Sequence, residues 1–171
     1  MRPHRLIVLL ILSGLFILNA QSQTEKQQNK ENTMRRVTGI GGIFFKSSDT
    51  KALQEWYAKH LGITSSPETG TIFEWRAAED PEQRGQTVWS LFKQDTKYFE
   101  PSTKDYMFNY RVENLVWLLD ELRKEGVTVV GKIEEYDYGK FGWILDPEGN
   151  KIELWEPPAK GHDLPGAIPM K

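Results

Sequence analysis

The chain has 171 residues, of which 39% are hydrophobic, 12% aromatic and 27% charged, a composition typical of a folded protein that excludes a disordered or collagen-like chain. The formal charge of -2 leaves no basic excess to neutralise a phosphate backbone, so a nucleic-acid partner is not expected. Cysteine is absent, which excludes disulfides, thiolate metal sites, a cysteine nucleophile and a lipoprotein anchor.

The N-terminal segment has the pattern of an export signal. Two arginines precede an apolar stretch over residues 6–18, and Ala20 and Ser22 fit the small-residue rule for signal cleavage. The stretch is shorter than the roughly 20 apolar residues that span a membrane. We therefore expect residues 1–22 to be a cleaved signal peptide that leaves a secreted or periplasmic protein with no stable membrane anchor. Residues 23–36 are polar and aperiodic, which predicts a disordered spacer.

The rest of the first half predicts a strand, a helix and two further strands. The helix is capped at Asp49, has apolar side chains at helical spacing, and ends at Gly62. Its Trp56 is predicted to lie in the core. The three strands are predicted over Val37–Lys46, Thr71–Arg76 and Thr87–Lys93.

The second half predicts the same order of elements. A strand is followed by a helix that is capped at Glu113–Asn114 and ends at Gly126. Asp49 and Glu113 are 64 residues apart, and so are Gly62 and Gly126, which indicates an internal repeat. The remaining apolar runs predict strands over Tyr106–Val112, Thr128–Ile133, Phe141–Leu145 and Lys151–Trp155, with a turn at 146–150 between the last two.

Several short motifs resemble the vicinal oxygen chelate (VOC) superfamily, which includes glyoxalase I, bleomycin-resistance proteins, fosfomycin-resistance enzymes and extradiol dioxygenases. They are residues 41–45 (GGIFF), Asp49, the WY…HLG pattern of residues 56–62, and residues 141–155 with their DPEGN-x-IEL close. The resemblance implies an α+β fold of paired βαβββ modules, which form a curved mixed sheet cleft with the helices outside. It implies a VOC domain over 37–158, with modules of about 37–100 and 105–158, and leaves 159–171 as a tail.

The resemblance also implies where a divalent metal would lie. The superfamily takes its ligands from the first and last strand of each module, and the corresponding positions here are Gly42, Ser90, Met107 and Glu153. Of these, Glu153 alone is a competent ligand, and one carboxylate does not hold a catalytic metal. The chain is therefore expected to need no cofactor, although a divalent metal held by other residues stays open. His60 is expected to contact its helix end, and His162 to lie exposed in the tail.

Strand alternation places one set of side chains in the cleft that the resemblance implies. If Glu153 faces the cleft, its strand neighbours Ile152 and Leu154 face the helices. Glu153 is the candidate catalytic residue, as a general base. The candidate substrate-binding residues are Arg111, Asn109, Lys46, Phe44, Phe92 and Trp155. Arg111 is the candidate clamp for a ligand carboxylate, and the tryptophans at 75, 89 and 143 are expected to be core residues rather than ligand platforms.

Three functions fit these residues. The first is an exported glyoxalase-like protein that binds a small metabolite in an aromatic cleft without the usual metal site. The alternative is a metal-dependent lyase, isomerase or dioxygenase, and a third is a metal-free enzyme with Glu153 as base beside Arg111. The expected partner is a small molecule, and the protein is expected to be a monomer or a homodimer, because two modules in one chain could complete a cleft.

Overall fold

The computed structural model describes residues 23, 36–66, 70–78, 80–82 and 84–158. The predicted signal peptide and tail and nearly all of the predicted spacer lie outside these residues. The chain divides into two compact units, and the described residues from Arg36 onward belong to the second. None of the helices in the described part is long and apolar enough to cross a membrane.

The first module contains strand β1 (Val37–Ser47), helix α1 (Thr50–Leu61) and strands β2 (Thr71–Arg76) and β3 (Arg84–Lys93). The Asp49 side chain caps α1 by accepting a hydrogen bond from the amide of Ala52. Gly62 ends the helix with a φ of 68°, a conformation that costs glycine little. Among the described residues, two strands follow the helix, whereas the resemblance implies three. Between α1 and β2, Ser66 and Gly70 form an isolated bridge.

The second module is a complete βαβββ unit. It contains strand β4 (Tyr106–Val112), helix α2 (Leu115–Lys124) and strands β5 (Thr128–Tyr136), β6 (Gly139–Leu145) and β7 (Lys151–Glu156). The cap of α2 is Asn114, whose side chain accepts from the amide of Trp117, so the prediction of Glu113 as the equivalent of Asp49 was wrong by one residue. A short amide side chain at this position reaches the N3 amide, as a capping residue must.

The seven strands form one mixed sheet in the order β2-β3-β1-β4-β7-β6-β5. The two modules meet at the antiparallel pair β1–β4, and each first strand pairs in parallel with the last strand of its own module. Outward from the centre, each module therefore has its first strand, then its last strand, then the strand before the last, and the second module adds β5 at the edge. This repeat confirms the α+β prediction and the internal duplication.

The two faces of the sheet carry different cores. The outer face packs against α2 through Leu115, Leu118 and Leu119, with Leu154 of β7 in the same cluster. The opposite face, called the inner face below, carries a second cluster. Its buried members, called the inner cluster, are Phe44, Val88, Phe92, Phe99, Met107, Phe141, Trp143 and Trp155. The alternation predicted for β7 is thus confirmed.

The prediction that Trp56 is a core residue was wrong. Its side chain is 50% exposed, whereas the Tyr57 ring packs against Trp89 of β3 in a tilted arrangement, at a centroid distance of 4.6 Å. Adjacent residues on a helix point about 100° apart, so the contact of Tyr57 with the sheet turns Trp56 toward solvent.

Candidate functional site

The centre of the inner face is a buried carboxylate surrounded by aromatic rings. Glu153 of β7 is 2% exposed, and its strand neighbour across the pair β4–β7 is Asn109, also 2% exposed. The Asn109 amide donates to Glu153 Oε1 at 2.6 Å, and the Trp143 indole donates to Oε2 at 2.8 Å. The Tyr98 hydroxyl donates to Oε2 as well. Both carboxylate oxygens are therefore occupied by protein donors.

Residues 94–105, called the crossover segment below, close the inner face on this side. The segment joins β3 to β4, and its Tyr98 ring stacks parallel to Phe92 at 5.5 Å. Phe99 is 0% exposed and lies 5.1 Å from Phe92, centroid to centroid. The predicted aromatic wall is present, but side chains of the chain itself occupy the space in front of it.

Lys151 fixes the crossover segment to the sheet. It is two residues before Glu153 on β7, it is 8% exposed, and its ammonium group donates to the Tyr98 carbonyl at 2.6 Å. The same group lies 5.2 Å from the Tyr98 ring and 5.3 Å from the Trp143 ring, within cation–π range. Burial lowers the pKa of Lys151, and the nearby Glu153 opposes that shift.

The structure brings five of the seven predicted site residues together and sets two apart. Glu153, Asn109, Phe44, Phe92 and Trp155 all belong to the buried inner face. Lys46 lies at its rim, 5.5 Å from the Phe99 ring and 3.8 Å from the Asp105 carboxylate. Arg111 lies 5.8 Å from the Trp75 ring, and burial lowers the pKa of its guanidinium with no carboxylate raising it.

Tyr98, Phe99 and Lys151 are site residues that the sequence reasoning missed. Lys151 had a detectable signal, because it shares the alternation of Glu153 on one strand. The two aromatic residues lie in a segment without strand or helix periodicity, so no pattern marked them as buried.

The residues present do not fit the metal site that the superfamily resemblance implies. Among the residues that the structure describes, no three His, Asp or Glu side chains lie close enough to hold a metal. Gly42, Ser90 and Met107 offer at most a weak oxygen or thioether ligand beside Glu153, and the Tyr98 and Trp143 donors already occupy Glu153 Oε2. A bound cation would have to displace these donors.

The sequence model described as "Glyoxalase-like domain" matches residues 42–155. The chain belongs to this family. The match begins on β1 and ends on β7, so it covers both modules and agrees with the predicted resemblance to the VOC superfamily. No curated protein sequence matches the chain.

Several solved structures are similar to this fold. A variant of Streptomyces coelicolor methylmalonyl-CoA epimerase, in complex with 2-nitronate-propionyl-CoA, is 15% identical over 72% of this chain and 99% of that chain, with a TM-score of 0.53. Methylmalonyl-CoA epimerase from Mycobacterium tuberculosis is 25% identical over 72% of this chain and 91% of that chain, with a TM-score of 0.46. The first likeness supports the fold assignment and, at this identity, nothing beyond it.

Gly41 leaves room for the Asn109–Glu153 hydrogen bond. A Cβ at Gly41 would lie 2.1 Å from Asn109 Oδ1 and 3.0 Å from the Trp155 ring. We expect Gly41→Ala to lower the free energy of unfolding by about 1–3 kcal/mol in urea denaturation, because the Asn109 amide must move. Gly39→Ala is the matched control, since its Cβ would meet only ordinary contacts at 3.5 Å. Equal losses for both variants would contradict the steric argument.

Burial raises the pKa of Glu153 above its ordinary value of 4.5, and the Tyr98, Asn109 and Trp143 donors oppose the shift. The folded-state pKa is therefore above the unfolded one, so the stabilising contribution of Glu153 is complete below pH 4.5 and declines as the pH rises through the folded pKa. We expect wild type to lose free energy of unfolding relative to Glu153→Gln as the pH rises above about 4.5. Urea titrations across this range measure the difference, and a constant difference would contradict the raised pKa.

Proposed function

We propose that the protein binds a small aromatic molecule on the inner face without a divalent metal, and that this ligand takes the place of the Tyr98 side chain. The observation that carries the proposal is the environment of Glu153, a buried acceptor in a wall of aromatic rings at the one metal-ligand position that this chain retains. Small-molecule sites combine such apolar walls with a few convergent polar groups.

A second feature of the inner face favours ligand binding over a purely structural role. Asn109 Oδ1 is buried and accepts no hydrogen bond in the described structure. Unpaired buried acceptors are uncommon in folded proteins and cost about 1–3 kcal/mol each. This atom lies against Gly41, beside the Asn109 amide that donates to Glu153, so the surroundings of Glu153 hold an acceptor that the described residues leave unpaired.

The metal-dependent lyase, isomerase or dioxygenase is the second candidate function. The raised pKa of Glu153 favours it, because a carboxylate with this property is suited to accept a proton from a substrate. The fold of the methylmalonyl-CoA epimerases is compatible with it. The donors that occupy Glu153 and the residues at the other ligand positions favour the metal-free binder.

One preparation tests both candidates. The protein, expressed from the full chain in metal-replete medium, is analysed for bound metal and then screened against aromatic, aliphatic and carboxylate compounds by tryptophan fluorescence. We expect no stoichiometric metal, and quenching by aromatic compounds that is lost in Trp143→Phe, whose indole lies against Glu153. One equivalent of bound metal would replace the binder with the enzyme as the leading function.

Arg111 is expected to select ligands that carry a carboxylate. Its guanidinium is half-buried beside Trp75, and this burial lowers its pKa. We expect Arg111→Ala to weaken the binding of an aromatic carboxylate by about tenfold and that of the neutral parent compound by less than about twofold, in isothermal titration. Equal losses for the two compounds would contradict the clamp.

The export of the protein is part of the same proposal. A signal peptide over residues 1–22 would place the binder outside the cytoplasm, where the absence of cysteine avoids unwanted oxidation. Intact mass spectrometry of the protein recovered from the periplasm or medium tests this, and a mature N-terminus at Gln23 is the expected result.

A further inference from the structure

Tyr98 shows what kind of molecule the inner face accommodates. Its ring lies parallel to Phe92 with an interplanar angle of 4°, and perpendicular to Trp143 at 87° and 6.3 Å. Stacked and edge-to-face rings are the arrangements that aromatic pairs prefer. The space is thus a slot shaped for one aromatic ring, which we call the Tyr98 slot and define by Phe92, Trp143, Lys151 and Glu153.

The end of the slot selects a hydroxyl group. The Tyr98 hydroxyl donates to Glu153 Oε2, which already accepts from the Trp143 indole. Burial raises the pKa of Tyr98, and the neighbouring Glu153 raises it further, so the phenol stays protonated and remains a donor. A ring without a hydroxyl would leave Glu153 Oε2 with one donor instead of two in a buried position, which disfavours its binding.

The charges around the slot exclude two other classes of aromatic ligand. A carboxylate at the hydroxyl position would be repelled by Glu153 at hydrogen-bond distance. An ammonium group would be attracted by Glu153, but the Lys151 ammonium lies 5.2 Å from the ring that fills the slot and opposes a second cation. A neutral hydrogen-bond donor on an aromatic ring can donate to Glu153 and is not repelled by the Lys151 ammonium.

The residue that fills the slot belongs to a connection rather than to a strand or helix. The crossover segment, together with Lys46, also lines a pocket of about 500 Å³ that is open to solvent. A ligand ring that enters the slot displaces the part of the segment that contains Tyr98. Its displacement breaks the hydrogen bond from Lys151 to the Tyr98 carbonyl, so the ligand competes with the chain itself.

We infer that the ligand of the inner face is a phenol, a molecule whose un-ionised hydroxylated ring binds in the Tyr98 slot and donates to Glu153. The inference rests on the proposed function, because it names the ligand class of that same site. The Tyr98 side chain then acts as an internal competitor that an external phenol replaces.

The test uses p-cresol, which is the tyrosine side chain as a free molecule, and toluene, which lacks the hydroxyl. Both are titrated calorimetrically into wild type and into Tyr98→Ala. We expect Tyr98→Ala to bind p-cresol at least about tenfold more tightly than toluene and more tightly than wild type does. Adding Glu153→Leu to Tyr98→Ala should abolish the preference for p-cresol.

The outcomes separate the inference from the proposed function. Equal binding of toluene and p-cresol would overturn the phenol assignment and leave an aromatic binder. Binding of p-cresol by Tyr98→Ala but of no aromatic compound by wild type would overturn the proposed function as well, since the slot would then be structural. If Tyr98→Ala does not fold, the NMR signals of the Tyr98 ring in wild type, assigned with Tyr98→Phe, are followed instead. A shift of these signals with p-cresol and not with toluene supports the inference. No shift with p-cresol overturns it.

Discussion

Glu153→Ala is expected to lower the free energy of unfolding by about 3–5 kcal/mol in urea denaturation at neutral pH. Removing the carboxylate leaves the donors of Tyr98, Asn109 and Trp143 buried without their acceptor. Each such group costs about 1–3 kcal/mol, and the relief of a buried charge offsets part of the sum. The loss of the Tyr98 contact should also expose the amides of the crossover segment to faster hydrogen exchange.

Two control variants identify the source of this loss. Glu153→Gln keeps the shape and one carbonyl acceptor, so its free energy of unfolding should stay within about 1 kcal/mol of wild type. Glu148→Ala removes an exposed acid in the turn before β7, and should change the free energy by less than about 0.5 kcal/mol. A Glu153→Ala protein as stable as Glu153→Gln would show that the three donors do not depend on the carboxylate.

Phe99→Ala is expected to cost about 3–5 kcal/mol, as deletion of a fully buried phenylalanine does elsewhere. Phe99 is 0% exposed although it lies in a connecting segment, and it packs on Phe92 of β3. The variant should also bind aromatic ligands more tightly than wild type, because the crossover segment no longer holds the inner face closed. Urea denaturation and calorimetric titration with p-cresol measure the two effects.

Phe108 provides the control for this prediction. It lies on β4 and is 38% exposed, so Phe108→Ala should destabilise far less and leave ligand binding unchanged. If Phe99→Ala instead has wild-type stability, and the crossover segment exchanges its amide hydrogens without protection in wild type, then the segment does not close the inner face in solution.

Closure of the site by the chain itself has a consequence for affinity. If the open form is a minor population, the apparent affinity of any ligand is reduced by the fraction of open molecules. Variants that weaken the contacts of the crossover segment therefore raise apparent affinity without touching the ligand. Phe99→Ala acts in this way, because Phe99 packs on Phe92 and is not one of the residues that define the Tyr98 slot.

Much of the fold was predictable from local patterns. The strand limits of Thr71–Arg76 and Tyr106–Val112 agree with the prediction, because alternation and flanking turn residues define them. The helix ends at Gly62 and Gly126 have positive φ angles of 68° and 83°, which is why glycine marked them in the sequence. The apolar runs also predicted the two strands that follow α1 in the described part of the chain, whereas the superfamily resemblance implied three.

Part of the site was also determined by the sequence alone. Alternation along β4 and β7 places Asn109 and Glu153 on the same face of the sheet, and the same rule separates Trp155 from Leu154. The nature of the inner face, aromatic with a buried acid, follows from these local rules because side chains on a strand alternate between two environments whatever the rest of the chain does.

Only the tertiary structure decided what lies in front of that face. The hydrogen bond between Tyr98 and Glu153 joins residues 55 apart, and the contact of Lys151 with the Tyr98 carbonyl spans 53. The spacing of apolar residues in the sequence does not predict such contacts, because a connecting segment takes its position from the surface on which it packs. The sequence therefore determined the wall of the site, and long-range packing decided that the chain itself covers it.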